Sequence, residues 1–526
     1  MTDKYVADPP LGDNGNPGTL AEPYDDVDKA DSVTSAGETI YLVDGVYTAS
    51  ADSGDVALRD AKTLRGETYR GVTVLPNIAG QVVRVAGGNS GTGKIIGLIL
   101  DGNGVGANAV KTFSNATVLD RLVLQGLTLK NYTTYGVFDQ RREGALEMLD
   151  CVFQGDVQLA GVKLTTSTAL SAAGSAFIDN ILFDDVTSDT SMEALIELQQ
   201  EATGAEAYNV YVSNVRGKLT STDTGSYYAI SVDGADQAHV SGVDLEMDIE
   251  NASASSYSVW IRGSQAATLI ANASISRCKI TCNSPVGYSL ALGESGNPSY
   301  ITNAEMHGNV VKGATYGSAT PHGILMGEDL AGDCDGNLVK NKYASILLSK
   351  NTGGFCRGNL VLDTEGCAIY MKGTKSGTPI IENNTISQSS KVTQRDLGLL
   401  AVREQDGNNA GGTFRNNVVI VQDVSTIRAV ASVTTSQVCA FADNLYIFPD
   451  TFNPTTDLLW DAGSGLVNFA GWLGNSNADL TVTGDRYETF PQGVIDVMIA
   501  NNEAAFDAAM NEVSSGSGLI RPVIAG

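Results

Sequence analysis

Two interleaved apolar registers run along most of the chain, each returning roughly every 29 residues. The first reads apolar-x-apolar, as in Val83-Arg84-Val85, Val162-Lys163-Leu164, Ile230-Ser231-Val232, Val259-Trp260-Ile261, Leu290-Ala291-Leu292, Ile324-Leu325-Met326, Ile346-Leu347-Leu348, Ile369-Tyr370-Met371 and Leu400-Ala401-Val402. The second falls between those positions, mostly behind Asn, Gly or Asp: Gly97-Leu98, Gly126-Leu127, Asn214-Val215, Asn309-Val310, Asn337-Leu338, Asn359-Leu360, Asn384-Thr385, Asn417-Val418 and Asn444-Leu445. Alternation by two is the period of a strand, and a return interval of this size marks a repeat architecture.

Short strands recurring at this interval stack in few ways. A propeller needs longer units of roughly 40 residues, and the Leu spacing of a leucine-rich horseshoe is absent. An all-β, right-handed parallel β-helix fits, each coil lying about 4.8 Å above the last. Asn at the turns is expected because it tolerates the left-handed conformation and bonds its own backbone. The pattern divides the chain into residues 1–39, an extended segment with a short capping helix; 40–448, the β-helix; and 449–526, a C-terminal cap and tail. Tyr24–Val33 reads as the first helix, with Val27 and Ala30 facing inward. Val494–Val513 reads as a C-terminal helical cap with Ile495, Met498, Ile499, Ala505 and Met510 on its apolar side. An open solenoid end needs such covers against edge-to-edge association. The apolar tail at 514–526 is expected to pack on a neighbouring subunit.

The 526 residues carry a formal net charge of −27 without a basic tract, which argues against nucleic-acid binding. An acidic polysaccharide would be repelled unless a local cation patch or bound Ca²⁺ reversed the field. Seven cysteines, an odd number without a C-x-x-C pair, read as reduced and structural. No apolar stretch is long enough to span a bilayer, so membrane insertion is not expected. The start MTDKYVADPP shows no secretory leader. Either a leader has been replaced by Met, or the protein reaches its destination without secretion, as in virion assembly followed by lysis.

At residues 4–47, KYVADPPLGDNGNPGTLAEPYDDVDKAD…GETIYLVDGVY, the chain resembles the opening segment of pectin-lyase-like parallel β-helix proteins. These include polysaccharide lyases of the chondroitinase B and alginate lyase kind and phage tailspike-like proteins. NFAGWLGNSNADLTVTGDRYETFP (468–491) resembles their closing segment. The resemblance implies the fold over most of the chain, and a trimer by likeness to phage spikes. It transfers no catalytic residue, because no uninterrupted set of Ca²⁺ ligands with a Lys and an Arg falls on matching coils.

In the first register the out-facing positions of successive coils stack. They bring Asp233, Arg262, Glu294, Glu328, Lys350, Lys372, Arg403 and Glu404 to one side, with Trp260 and Tyr370 beside them. Glu294 and Glu328, one coil apart, suit the acid and base of a glycosidase, or metal-holding carboxylates in a lyase. Lys350, Lys372 and Arg403 are the available bases or neutralisers. Trp260 and Tyr370, with Asp233 and Arg262, suit a sugar-binding platform, although a subunit contact suits the same face. The bland alternative is a charged ladder whose opposite signs pair across coils. Asp329, Asp333 and Asp335 offer oxygens for Ca²⁺ but lack full loop spacing, so a polar turn competes, and no cofactor is required. Glu193 and Glu197 read as a solvated face, and His239, His307 and His322 as turn residues.

Three functions remain in play: a virion-associated tailspike or fibre, homotrimeric, that binds and cuts or only binds host surface polysaccharide; a bacterial polysaccharide lyase or epimerase acting on uronate glycans; and a structural virion decoration contacting other virion proteins. The corresponding locations are the virion surface or, for the lyase, the secreted or periplasmic space.

Overall fold

The computed structural model describes residues 3–512, apart from 49–55, 78–79, 87–90, 113–118, 141–143, 156–158, 167–173, 189–193, 201–207, 223–224, 251–255, 264–268, 295–297, 315–319, 352, 375–377, 396, 404–410, 434–437, 464 and 476–479. Glu193, Glu404 and the apolar tail therefore lie outside the described residues. The chain divides into two compact units. The first comprises residues 1–240, 244–251 and 265–269; the second comprises 241–243, 252–264 and 270–526.

Each unit is wound as a right-handed parallel β-helix, the sense that strand twist dictates for parallel connections. The first apolar register stacks as its spacing requires. In the first unit Val83 pairs with Val110, Val110 with Val137, Val137 with Val162, Val162 with Ile196, and Ile196 with Ile230. In the second unit the column runs Val259, Leu290, Ile324, Ile346, Ile369, Leu400 and Ala431. A coil holds three strands rather than two. Between the expected pair lies a middle column, such as Ile270–Ser276, Ile301–His307 and Gly332–Asp335. The winding also continues past Phe448: Leu480–Thr483 pairs with Cys439–Ala442, and Arg486–Phe490 with Leu445–Pro449.

The second register turns out differently in detail. In the second unit the left-handed corner residue is the one before each expected Asn: Gly308, Gly336, Gly358, Asn383, Asn416 and Asp443, with φ between +54° and +63°. In the first unit Asn214 takes the corner itself, as expected, with φ 52°. The residue following each corner points inward. At Asn309, Asn337, Asn359, Asn384, Asn417 and Asn444 it is a buried amide in a continuous ladder. Asn359 Oδ1, for instance, accepts from Asn337 N and Nδ2 at 2.8 and 3.0 Å. Asn359 Nδ2 donates to Cys334 O and Asn384 Oδ1, both at 2.9 Å. The ladder ends on Asp485, which accepts from Asn444 N and Nδ2, Tyr446 Oη and Trp472 Nε1 at 2.9 to 3.1 Å. Burial pushes the Asp485 carboxyl pKa up, against those donors. In the first unit the same position holds Leu98, Leu127, Cys151, Ile181 and Val215, all buried. All seven cysteines are buried free thiols.

Both expected helices are present. Helix α1, Val27–Val33, starts at an Asp26 cap that accepts from Asp28 N at 2.8 Å, and it buries Val27 and Ala30. It also buries Asp31, whose carboxylate meets Lys62 and Arg59 at 3.0 Å each. Helix α2 (Phe469–Leu473) is a single short turn that buries Phe469 and Trp472. Helix α3 (Gln492–Asn511) is seated lengthwise on the outer faces of third-column strands. Phe506 and Ala509 meet Val310, Leu338 and Leu362, while Ile495 and Ile499 meet Ile420 and Ile447. Among the described residues no helix is long and apolar enough to cross a membrane.

Replacing Asn359 with Leu should cost about 3 kcal/mol in urea unfolding, since Asn337 and Asn384 lose their amide partner and Cys334 O a donor. Leu127→Val, on the equivalent apolar position, should cost about 1 kcal/mol. Equal losses would show that the ladder is not the holding element.

Candidate functional site

The second unit gathers Arg262, Glu294, Glu328, Lys350, Lys372 and Arg403 at the C-terminal ends of successive first-column strands. Lys372 lies directly across from Ser349 on one side and Arg403 on the other. Gly327 allows the close approach around Glu294: a Cβ there would fall 2.5 Å from Glu294 N. Glu328 N donates to Glu294 O at 2.8 Å, and Glu294 N donates to Ser299 Oγ at 3.0 Å.

The two glutamates are backbone neighbours, yet their carboxylates do not form the expected mutually repelling pair. Arg262 Nη1 lies 2.6 Å from Glu294 Oε1. Lys350 Nζ lies 2.9 Å from Glu328 Oε1, with Lys350 6% and Glu328 3% exposed. Each carboxylate is thus closed on its own cation, as in the charged-ladder alternative. A buried pair of this kind is positioned to hold the strand end, not to exchange protons with a solvent-borne substrate.

The expected sugar platform is also rearranged. Trp260 is only 5% exposed, stacked on Tyr257 at 4.3 Å with the Arg262 guanidinium 4.1 Å from its ring centre. Its indole N–H donates to Gly293 O at 2.9 Å. No ring face is left for a sugar. Asp233 is buried in the first unit. Tyr370 and Lys372 are half-buried and Arg403 is exposed. Burial pushes the Tyr370 phenol pKa up to about 12. The exposure expected of this face fails: Ala291, Leu325, Leu347 and Ala401 are all buried.

The three aspartates do not converge on one point. Asp335 and Asp333 both turn to Arg357, at 2.9 and 3.8 Å, and Asp329 sits at a left-handed turn with φ 66°. Among the described residues no three His, Cys, Asp or Glu side chains converge to hold a metal. Glu197, expected on a solvated face, pairs with Lys163 at 3.0 Å.

The histidines are strand residues, not turn residues. His322 opens its strand and stacks on Tyr288 at 4.7 Å, with Tyr343 edge-on at 6.0 Å. The residue keeps some exposed surface, but Nδ1 is covered and has no hydrogen-bond partner among the described residues. Burial, helped by Lys342 and Lys372, pulls its pKa down to about 4. Lys342 itself is fully buried, its ammonium 3.3 Å from Cys282 O, and burial lowers its pKa too.

His239 belongs to a surface that the two registers did not reveal. On the middle column of the first unit, Phe177, Tyr211 and His239 stack at 5.0 and 5.3 Å, and Phe177 is 41% exposed. Ser175 and Asn209 pair on one side of this strip, Asp179 and Ser213 on the other. Tyr211 Oη donates to Gln237 Oε1 at 3.2 Å. Asn209 Oδ1 has no partner among the described residues. The strip was legible in principle. Phe177, Tyr211 and His239 each precede an inward residue (Ile178, Val212 and Val240) and stand three residues before a corner, Asn180, Asn214 or Gly242. That corner also opens the next strand and so marks the later register more plainly.

No protein-family model matches the chain, and no curated protein matches it. Among solved structures, the tailspike protein of Escherichia coli bacteriophage HK620, in complex with a pentasaccharide, is similar at 13% identity and a TM-score of 0.40, over 86% of this chain and 71% of that one. Tailspike protein 3 of bacteriophage CBA120 is similar at 10% identity and a TM-score of 0.40, over 89% and 68%. The A-module of the mannuronan C-5 epimerase of Azotobacter vinelandii is similar at 13% identity and a TM-score of 0.31, over 78% and 92%. At such identities, what this chain does has to come from its own surface.

Glu328→Ala should destabilise by about 3–5 kcal/mol by stranding buried Lys350, whereas Glu294→Gln, at a half-exposed pair, should cost less than about 1 kcal/mol. Thermal unfolding checks both. His322 is neutral in the fold down to pH about 4, whereas the unfolded chain takes its proton near 6.5. The unfolded state therefore binds more protons across that window, and stability should fall with falling pH by up to about 3 kcal/mol. His322→Phe should flatten that slope; an unchanged slope would assign it elsewhere.

Proposed function

We propose that this protein is a polysaccharide-binding β-helix that contacts glycan along the aromatic strip Phe177–Tyr211–His239. The carrying observation is an aromatic rail, exposed at Phe177 and half-buried at Tyr211 and His239, that repeats from coil to coil between hydroxyl, amide and carboxylate side chains. Coils about 4.8 Å apart repeat these groups at a spacing comparable with the length of one pyranose. Aromatic edges meet the C–H surface of a sugar, and the flanking Ser175, Asn209, Gln237 and Ser213 offer donors and acceptors for its hydroxyls.

Binding is favoured over cleavage. Glu294 and Glu328, the residues best suited by type to acid–base work, are each held by a cation, and Glu328 is buried. The setting we propose is the virion surface, as a homotrimeric spike that recognises host polysaccharide. Exposed Leu458, Leu466 and Leu473 near the C-terminal closing segment supply apolar surface for a subunit contact.

On an array of bacterial surface polysaccharides, Phe177→Ala and Tyr211→Ala should each weaken binding by about tenfold, with Glu294→Gln unchanged. Binding indifferent to both aromatic changes would sink this reading. Light scattering should give three times 54.9 kDa; a monomer would remove the spike setting.

A further inference from the structure

We infer that Tyr69 and Arg70 form a second carbohydrate contact, a platform on which one pyranose ring stacks. The inference rests on the reading of the protein as a glycan binder but uses a different surface of the first unit. Tyr69 is 63% exposed, yet it is held in place. Its ring runs over two left-handed corners, Gly97 (φ 70°) and Gly126 (φ 65°). A Cβ on Gly97 would come within 3.7 Å of ring atom Cδ2, and one on Gly126 within 2.4 Å of Cε2. Gly126 thus leaves the room the ring occupies, while a Cβ at 97 would only touch the ring. At later corners of the same unit the left-handed position is filled by Asp150, Asn180 and Asn214 instead. Left-handed geometry alone therefore does not require glycine at 126; the ring does.

Arg70 is fixed as firmly. It adopts φ 61°, a conformation that a residue with a Cβ rarely takes, and its N–H donates to Gly97 O at 2.8 Å. Its side chain reaches along the corners, with Nε 3.4 Å from Gly126 O and Nη2 3.3 Å from Asp150 O. The guanidinium carbon stands 4.9 Å from the Tyr69 ring centre. An exposed, immobilised aromatic ring beside an immobilised donor fork fits a ligand with an apolar face edged by oxygen acceptors. A pyranose is such a ligand: its C–H face suits the ring, and its hydroxyl, ring or carboxylate oxygens suit Arg70. Because both groups are already ordered, little side-chain freedom is lost on binding.

Saturation-transfer NMR with maltohexaose and hexagalacturonate, each at about 10 mM, tests this, since weak stacking is detectable at that concentration. The full chain should transfer saturation to at least one oligosaccharide. Tyr69→Ala and Gly126→Asn should each weaken that signal about tenfold. Gly126→Asn keeps a residue that corners 180 and 214 already accept, while driving the ring from its place; unchanged thermal unfolding confirms the fold. Normal binding by both variants, or no transfer to either probe from the unaltered protein, overturns the inference. Binding lost in Phe177→Ala but normal in both Tyr69-site variants overturns it while leaving the strip standing. The reverse result keeps the platform and removes the strip. A lower mass for Tyr69→Ala in light scattering would make the ring a contact between copies, and so would also overturn the inference.

Discussion

The structure depends on vertical registration: each strand takes its main-chain partners from the coils before and after it, so no coil is stable alone. In the second unit that registration is held by a buried file of amides as well as by the strands. Each ladder Asn satisfies its oxygen and its nitrogen on neighbouring coils, and the file closes on Asp485 instead of ending on an orphaned group. A slip of one residue would turn the whole file toward solvent or bury it without partners. In the first unit the same position is apolar, and registration rests on side-chain stacking there, including Phe153 on Phe183 at 4.8 Å.

The winding was legible because inward positions alternate strictly with outward ones, and because Val, Ile and Leu recur at those positions on nearly every coil. Alternation says which way a side chain leaves the strand; it does not say what lies on top of it. That is why Trp260, Asp233 and Glu328 were expected at the surface and are buried. The Asn positions were noticed for the right reason of place and the wrong reason of chemistry. In the second unit the corner belongs to the residue before and the Asn serves the interior, whereas Asn214 in the first unit holds the corner itself. The middle strand of each coil went unseen because its one marker, the corner residue that follows it (Asn180, Asn214 or Gly242), also opens the next strand. The aromatic strip lies on that middle strand.

Charge is arranged to the same end. On a chain with net charge −27, the cations of the second unit are largely spent on local carboxylates: Arg262 on Glu294, Lys350 on Glu328, Arg357 on Asp335, Arg415 on Glu382. These pairs bridge successive coils and quiet the repulsion that a stacked acidic solenoid would otherwise suffer. Glu294 and Glu328 are thereby tied into the stack. The stacked aromatic strip, by contrast, faces outward on the first unit. The functional proposal follows from that separation.

Amide hydrogen exchange at residues 337, 359, 384, 417 and 444 tests the central claim most directly. If the amide file locks the coils, these main-chain N–H groups should exchange only through global unfolding, all with one common and maximal protection. Fast or widely scattered exchange along the file would show that the coils open independently, and that the registration described here is not what holds the molecule together.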